Sequence, residues 1–284
     1  MKRVAAVLLV SWWIAAPLAG RADPIQTDRP GQTDPAYVLP KGTAQIELGA
    51  AFARENDDGH MSTWDAPEPE LRIGVFERAE LRISALGWIG SREDGDGTKN
   101  QGSDLELSTK LRLLEQQEWW PATSLLAGVS LPTGGSAVSS DGVDPFGKVI
   151  ASLQLGERFS LDANLGLAAP TQGVSDSRRV YELFAATSLG FALSERTGTF
   201  LEYAATVRGR GKPDEHALDG GFTYLVTDDV QLDVSAGAGL NHAAPDYVIG
   251  VGLAWRFWRP APPETARLGS AGRAVWLPGA VARQ

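Results

Sequence analysis

The 284-residue sequence predicts an all-β protein, a closed antiparallel transmembrane β-barrel of about 12 strands with short periplasmic turns and long extracellular loops. Three observations predict this fold. Apolar and polar residues alternate with a period of two along most of the chain, as they do in strands with two different faces. The connections between these segments alternate between short and long. The chain also begins with a segment that has the features of an export signal.

The first 22 residues are predicted to be a cleavable signal peptide. Lys2 and Arg3 give the positively charged start, residues 4–17 form the apolar middle, and Gly20-Arg21-Ala22 is a small-x-small cleavage site. The alternative is an uncleaved anchor helix, but the apolar run is short for a bilayer span and ends at a proline. We therefore expect export, with a mature chain that starts near residue 23.

The overall charge and the lack of cysteine exclude several classes of function. The net charge is −9 and the pI is near 4.9, whereas a nucleic-acid partner requires a surplus of Lys and Arg on one face. The sequence has no cysteine, which excludes disulfides, thiolate metal sites and cysteine nucleophiles. We predict no nucleic-acid partner and no cofactor.

The predicted strands each carry one apolar and one polar face. Between residues 230 and 240, for example, Val230, Leu232 and Val234 alternate with Gln231 and Asp233. Each segment is near the roughly nine to eleven residues that a tilted strand needs to cross a bilayer. An even number of strands places both ends of the barrel, residues 43–257, on the same side. The predicted strands are residues 43–54, 64–76, 79–90, 103–114, 122–131, 146–155, 159–168, 180–193, 198–207, 216–225, 230–240 and 247–257.

The connections separate the membrane barrel from its alternative, a soluble antiparallel sandwich, which also alternates apolar and polar residues. The predicted periplasmic turns are residues 77–78, 156–158, 194–196 and 227–229, and the predicted extracellular loops are residues 91–102, 132–145, 169–179 and 208–215. A sandwich gives no reason for this strict alternation of length. Aromatic residues near the strand ends also favour a membrane: Trp88, Tyr181, Tyr247, Trp255, Phe257 and Trp258.

Charged residues on the polar strand faces are predicted to line the lumen, because a charge on a strand in lipid must be paired or hydrated. Two interpretations stay open. These residues either form cross-strand ion pairs that fill a narrow lumen, or they line a polar path. The predicted lumen residues are Glu47, Glu70, Arg72, Glu80, Arg82, Glu106, Lys110, Arg112, Asp162, Glu182, Glu202, Asp219, Asp233 and Arg256.

The two ends of the mature chain flank the predicted barrel. Residues 23–42 form a periplasmic N-terminal leader or a plug, since Pro30 and Pro35 oppose regular strand pairing. As a plug, this segment would bring Arg29 to the inward carboxylates and Asp28 to Arg72 or Arg82; the alternative is a free tail. Residues 258–284, rich in Pro, Ala and Arg, are predicted to be a flexible C-terminal tail.

No catalytic or metal site is predicted. The three histidines, His60, His216 and His242, all fall in or beside predicted loops. Some outer-membrane barrels are lipid hydrolases that use a Ser and a His, so Ser235 with His242 is kept as the enzyme alternative. The acidic loops at residues 94–96 and 141–144 do not follow a full calcium-binding pattern, and we interpret them as solvated loops.

Several motifs resemble one known family. They are Thr27-Asp28-Arg29-Pro30 at the mature start, Glu80-Leu81-Arg82-Ile83 in the third strand, and Leu131-Pro132-Thr133-Gly134 after the fifth. These motifs resemble the family of “putative MetA-pathway of phenol degradation” proteins over nearly all of the mature chain. The resemblance implies a twelve-stranded channel that admits small, often aromatic or hydrophobic, compounds. The sequence departs from such barrels by continuing past the expected terminal aromatic residue, Phe257.

We therefore expect an outer-membrane channel or transporter, and no enzyme. The alternatives are a non-conducting structural or adhesive barrel and, less favoured, an outer-membrane lipid hydrolase. The expected partners are outer-membrane lipid and lipopolysaccharide, the barrel assembly machinery and a small-molecule solute. The expected location is the outer membrane of a Gram-negative bacterium.

Overall fold

The described part of the chain consists of β-strands and their connections. The computed structural model describes residues 23–55, 61–85, 87–92, 99–136, 138–171, 179–209 and 213–260. The predicted signal peptide, most of the predicted C-terminal tail, His60 and the acidic loop at residues 94–96 lie outside these residues. The described strands are β1 (Ala44–Glu55), β2 (Met61–Phe76), β3 (Ala79–Ala85), β4 (Trp88–Arg92), β5 (Lys99–Gly102), β6 (Leu105–Leu114), β7 (Ala122–Leu131), β8 (Asp144–Leu155), β9 (Phe159–Ala168), β10 (Glu182–Ala192), β11 (Thr197–Arg208), β12 (Glu215–Thr227), β13 (Val230–Gly239) and β14 (Tyr247–Trp258).

The strands close into a barrel. Each neighbouring pair is antiparallel, and β1 pairs with both β14 and β2, which joins the first strand to the last. β4 follows β3 in the same position of the wall and pairs with the start of β2. β5 pairs with β4 and precedes β6 in the next position of the wall. Because β3 and β4 share one position of the wall, and β5 and β6 share another, the described wall has twelve strand positions. This confirms the predicted fold. Among the described residues there is no apolar helix of membrane-spanning length.

One predicted strand, residues 79–90, is broken in the structure into β3 and β4. Gly87 lies at the break with a φ of 74°, a value that glycine adopts without strain. A Cβ at this position would overlap the carbonyl oxygen of Pro67 on β2. Pro67 and Pro69 also lack the N–H groups that a continuous ladder needs. The break therefore follows from a glycine that faces Pro67 in a proline-containing stretch of β2, which the alternation of apolar and polar residues does not show.

The wall has a polar inside and an apolar outside, the reverse of a soluble sandwich. On β3, Leu81 and Ile83 are 48% and 41% exposed, whereas Arg82 between them is 5% exposed. On β6, Lys110 is fully buried while Leu111 beside it is exposed. Every backbone group of a closed barrel pairs within the wall, so such a surface is stable in lipid. The soluble sandwich is thereby excluded.

The barrel has a turn end and a loop end. The turn end carries residues 77–78, 156–158, 193–196 and 228–229 between successive strands, together with the start of β1 and the finish of β14. A longer connection with Trp119 and Trp120, 78% and 76% exposed, also lies at this end. The loop end carries the longer connections, whose described parts include residues 132–136, 138–143, 169–171 and 179–181. Exposed aromatic residues at the turn end fit the aromatic girdle of a membrane barrel.

Candidate functional site in the barrel lumen

Residues 23–42, here called the N-terminal segment, lie inside the barrel. Inward glutamates of the wall bind backbone amides of this segment. Glu47 accepts from the N–H of Asp28 at 3.1 Å and from the N–H of Arg29 at 3.0 Å. Glu202, on β11, accepts from the N–H of Gln32 at 2.7 Å and of Thr33 at 2.8 Å. The segment is therefore held between β1 and β11.

Further wall residues bind the second half of the segment. Glu80 accepts from the N–H of Leu39 at 2.6 Å. Asn164 on β9 makes two bonds of 2.9 Å with the backbone of Asp34, one as acceptor and one as donor. Ser152 on β8 accepts from the N–H of Ala36 at 2.7 Å. Because these partners come from strands all around the wall, the segment occupies the cross-section of the lumen.

Two small apolar clusters pack against the segment near the turn end. Ile25 is fully buried with Leu225 and Ala254, and full burial of such a side chain contributes about 2 kcal/mol. Ala36 packs in a second cluster, whose wall members are Ala122, Leu126 and Ile150. These clusters explain why a few inward positions of the wall are apolar.

Asp28 is the charge centre of the site. Its carboxylate lies 2.9 Å from Arg72 Nη1, 2.7 Å from Arg82 Nη1 and 2.9 Å from Lys110 Nζ. Burial alone would raise the pKa of Asp28, but the charges of Arg72, Lys110 and Arg82 outweigh burial and hold that pKa far below its ordinary value. Asp28 therefore stays ionised inside the barrel, where it is compensated by three cations.

The cations around Asp28 belong to a wider network on one side of the lumen. Arg72 also contacts Glu47 at 2.8 Å and Glu80 at 3.0 Å. Arg82 also contacts Glu70 at 2.5 Å. A buried charge is stable only when it is paired and hydrogen-bonded. This half of the lumen, on β1 to β3 and β6, is therefore filled with ion pairs.

Asp34 makes a second anchor in the segment. Its carboxylate lies 2.6 Å from Lys148 Nζ and 3.5 Å from Arg82 Nη1. Burial and the neighbouring Asp28 charge raise the pKa of Asp34, but the attraction of Lys148, Arg82 and Lys110 prevails and lowers it. The second carboxylate is therefore also ionised against the wall.

Arg29 contacts β2, β13 and β14, on either side of β1. Its guanidinium contacts Glu68 at 2.9 Å and Asp233 at 3.5 Å, and donates to the carbonyl oxygen of Val251 at 3.1 Å. Gly49 and Gly252 make room for it, since a Cβ at either position would overlap the guanidinium. Glycine at these two places permits the side chain to lie flat on the wall.

Two cavities flank the segment on the side of the lumen that small residues line. The larger, about 310 Å³, lies toward the loop end and is called the loop-side cavity. The smaller, about 60 Å³, lies toward the turn end and is called the turn-side cavity. The wall lining of the loop-side cavity includes Ala51, Ala204, Ala217, Ser235, Gly237 and Gly250. Free space therefore lies where inward side chains are short.

The predicted lumen residues lie on the inner face or at its rims. Arg112 and Arg256 are at the turn-end rim, where Arg112 contacts Glu115 and Arg256 contacts Asp229. Glu182 is at the loop end and contacts Arg208. The others lie deeper, and all are buried or half-buried: Glu47, Glu70, Arg72, Glu80, Arg82, Glu106, Lys110, Asp162, Glu202, Asp219 and Asp233.

Sequence reasoning missed several charged members of the site, including Lys148, Glu68 and Asp34. Lys148 shares the inward face of β8 with Ile150, and this apolar neighbour obscures the polar face. Glu68 lies between two prolines outside a clear alternation. Asp34 belongs to the N-terminal segment, where only Asp28 and Arg29 were predicted to reach the wall. The signal that could have identified Asp34 was its negative charge, which complements the predicted lumen cations.

The residues of the enzyme alternative lie on different parts of the barrel. Ser235 is in the middle of β13 and lines the loop-side cavity. His242 is in the connection beyond the end of β13.

His216 donates to or accepts from the hydroxyl of Tyr203 at 2.7 Å. In the acidic loop at residues 141–144, Asp144 contacts Arg179 at 3.3 Å. No group of three or more His, Asp or Glu placed to hold a metal ion occurs among the described residues.

Solved structures with a similar fold are outer-membrane barrels. The COG4313 outer membrane channel from Pseudomonas putida F1 has a TM-score of 0.66 and 14% identity, over 81% of this chain and 99% of that one. The NanC porin has a TM-score of 0.51 and 8% identity, over 74% and 98%. The beta domain of the Bordetella autotransporter BrkA has a TM-score of 0.50 and 9% identity, over 76% and 100%.

Comparison at the level of sequence gives the family. No curated protein is recognisably similar in sequence. One family's sequence model, however, matches residues 27–257, which run from near the start of the N-terminal segment to the last strand. Because this match covers well over half of the chain, the protein belongs to the family described as “putative MetA-pathway of phenol degradation”, as its motifs predicted.

Proposed function

We propose that this protein is an outer-membrane channel through which small molecules, including aromatic and hydrophobic ones, cross the barrel lumen. The observation that carries the proposal is the loop-side cavity of about 310 Å³ beside the N-terminal segment. Pockets for small ligands begin near roughly 300 Å³, so this cavity suits a solute of about one ring. The description of the family, and those of the solved channel and porin, support passage of small molecules.

In this proposal the barrel lies in the outer membrane of a Gram-negative bacterium. Residues 1–22 direct export, and the barrel assembly machinery inserts the folded wall. The exposed leucines and aromatic residues contact lipid and lipopolysaccharide, because an apolar outer band is stable only there. The turn end faces the periplasm, and the loop end faces outward.

The N-terminal segment acts as the plug of the channel. The plug is supported by the hydrogen bonds that Glu47, Glu202 and Glu80 accept from backbone N–H groups of the segment. These bonds fix the segment across the lumen. Hydrogen bonds to charged groups contribute about 1.5–3 kcal/mol each, which favours a seated segment over a free tail. Solute passage then requires either the space beside the plug or its displacement.

A second candidate function is a non-conducting structural or adhesive barrel. The specific observation in its favour is the dense ion-pair network around Asp28, which fills one half of the lumen. Under this alternative the segment is a permanent part of the wall's interior, and the cavities do not conduct.

Planar-bilayer conductance and liposome uptake of a small phenol test the proposal. We compare the full mature barrel with a variant that lacks residues 23–35. The deletion should raise conductance and uptake, because it vacates the lumen while the strands from residue 44 onward keep the barrel closed. The wall cations that lose Asp28 become hydrated and therefore need no new partner. If both proteins fold but neither passes ions or solute, the non-conducting barrel is correct.

A further inference from the structure

The guanidinium of Arg29 lies in a seat that four neighbouring strands build at one level of the wall. Residues on β2, β1, β14 and β13 are paired one with the next across these strands, and in this order they are Glu68, Gly49, Gly252 and Asp233. The row therefore has an acid at each end and two glycines between them. These four residues are here called the arginine seat.

The arginine seat matches the shape and charge of a guanidinium group. Acceptors from three strands reach the terminal nitrogens of Arg29. The carboxylate of Glu68 lies 2.9 Å from Nη1, whereas the carboxylate of Asp233 and the carbonyl oxygen of Val251 lie 3.5 Å and 3.1 Å from Nη2. The two glycines form a floor without side chains, on which a flat group can lie. A planar cation with several donors uses such acceptors better than the compact ammonium group of lysine does.

Arg29 does not use the whole seat. Among the described residues, neither its own Nε nor Oδ2 of Asp233 has a hydrogen-bond partner, although both atoms are buried. Asp233 is only 7% exposed, and its carboxylate reaches over Gly252, where a Cβ would come within 2.7 Å of Oδ2. A buried acceptor without a partner destabilises the state that contains it. Because Arg29 is tethered to the plug, it cannot turn to reach this oxygen, whereas a free guanidinium can.

The arginine seat adjoins the loop-side cavity. Both Arg29 and Glu68 line this cavity of about 310 Å³, so a small solute inside it touches the seat directly. Arg29 lines the turn-side cavity as well. An occupant that displaces Arg29 therefore takes the place of a side chain that borders both cavities.

We propose that the arginine seat is a binding site for guanidinium-bearing solutes, and that Arg29 is its built-in occupant while the plug is in place. A solute of this class reaches the seat from the loop-side cavity and exchanges with Arg29, with no covalent step. The exchange removes one of the contacts that hold the plug to the wall. The site goes beyond the channel function proposed above and does not require the barrel to conduct.

Calorimetric titration of the mature barrel in detergent with methylguanidinium tests this proposal. Arg29→Ala empties the seat and keeps both of its acids. This variant should bind methylguanidinium at least about tenfold more tightly than the wild type, in which the tethered side chain competes at a high effective concentration. The deletion of residues 23–35 empties the seat in a second way and should bind as well. Methylurea has nearly the same shape but no charge, and it should not bind to either barrel.

Two further variants locate the site. Asp233→Asn in the Arg29→Ala barrel removes the charge from one end of the seat and should weaken binding about tenfold or more, as the loss of a buried charged partner does. The matched control is Glu195→Gln in the same Arg29→Ala barrel. It removes an equal charge from an exposed turn and should leave binding unchanged. Heat-dependent migration on gels checks that each variant is a closed barrel.

The possible outcomes separate this inference from the proposed function. If neither emptied barrel binds methylguanidinium more tightly than the wild type, or if methylurea binds equally well, the seat only anchors the plug and the inference is wrong. Binding that does not respond to Asp233→Asn would place the site elsewhere and would also overturn it. If methylguanidinium binds as expected but no barrel conducts, including the deletion, the channel function fails and the site remains.

Discussion

At the scale of single residues, the anchoring of the plug depends most on Asp28. Three buried cations, Arg72, Arg82 and Lys110, converge on this one carboxylate. Without its negative charge they would repel one another across a small space. Asp28 therefore holds together the wall network as well as the segment to which it belongs.

We expect Asp28→Asn to loosen the plug while the barrel stays closed. Breaking a buried charge cluster by removing one partner costs about 3–5 kcal/mol. Hydrogen exchange of the amides of residues 28–33 should accelerate by about tenfold or more, because local opening becomes less costly. The matched control is Asp141→Asn in an exposed loop, where φ is 58° and Asn is tolerated. Unchanged exchange in folded Asp28→Asn protein would contradict the anchoring role.

The depressed pKa of Asp28 makes its contribution insensitive to mild acid. A carboxyl group with a lowered pKa in the folded state stabilises that state above its unfolded pKa and loses this effect only as pH falls through the folded pKa. For Asp28 the folded pKa is far below the ordinary range. The difference in amide exchange between wild type and Asp28→Asn should therefore stay constant between about pH 7 and pH 5. A difference that shrinks across this interval would contradict this expectation.

At the scale of elements, the break between β3 and β4 separates a continuous wall from a short hairpin. β4 pairs with the first residues of β2 and with β5, beyond the prolines of β2. Gly87 permits the chain to turn past the carbonyl oxygen of Pro67. The hairpin of β4 and β5 thus depends on one backbone conformation.

Gly87→Ala should disrupt this hairpin selectively. A non-glycine residue at positive φ costs about 1–2 kcal/mol, and the new Cβ also overlaps backbone rather than a movable side chain. Hydrogen exchange in β4 should rise, with little change in β7 to β14. Gly102→Ala is the matched control, since a Cβ there meets nothing within 4 Å. Equal protection of β4 in both variants would refute the role of Gly87.

The strand pattern was predictable because a period of two assigns each residue to one face of the wall. Residues such as Arg72, Glu80 and Lys110 could therefore be placed inside from the sequence alone. The strand break was not predictable, since a glycine fits an alternating pattern and the sequence does not show that Gly87 will face Pro67. The hydrogen bonds that Glu47 and Glu202 accept from the segment were also not predictable from the sequence. Nearly every residue carries a backbone N–H group, and no side chain marks which of these groups a glutamate will bind.

At the scale of the whole molecule, closure of the wall governs stability. Pairing of β1 with β14 leaves no free edge at which unfolding can begin. Most of the described connections at the turn end are short, so the strands cannot separate far without breaking many ladder bonds at once.

We expect the mature protein to fractionate with outer membranes and to migrate differently on gels before and after boiling. A closed barrel resists detergent until heat breaks its ladder as a unit. The deletion of residues 23–35 should keep this heat-dependent shift, because the strands alone carry closure. Recovery as a soluble periplasmic protein would contradict the membrane assignment, and a deletion that no longer shifts would assign the segment to folding.

Besides the ion pairs of Asp28 and Asp34, the wall binds backbone groups of the N-terminal segment, so the segment can be supplied as a separate molecule. Glu47, Glu80, Glu202, Asn164 and Ser152 all bind main-chain groups, which a free peptide offers as well as a tethered one. A synthetic peptide of residues 23–35 should therefore enter the barrel that lacks these residues and block its current. The block should be one-sided, from the turn end, where the natural segment enters. Replacing Gln32 by proline in the peptide, which deletes an N–H, should abolish the block, whereas alanine there should preserve it. A block that is equal from both sides would mean that the peptide obstructs the mouth instead of occupying the native seat.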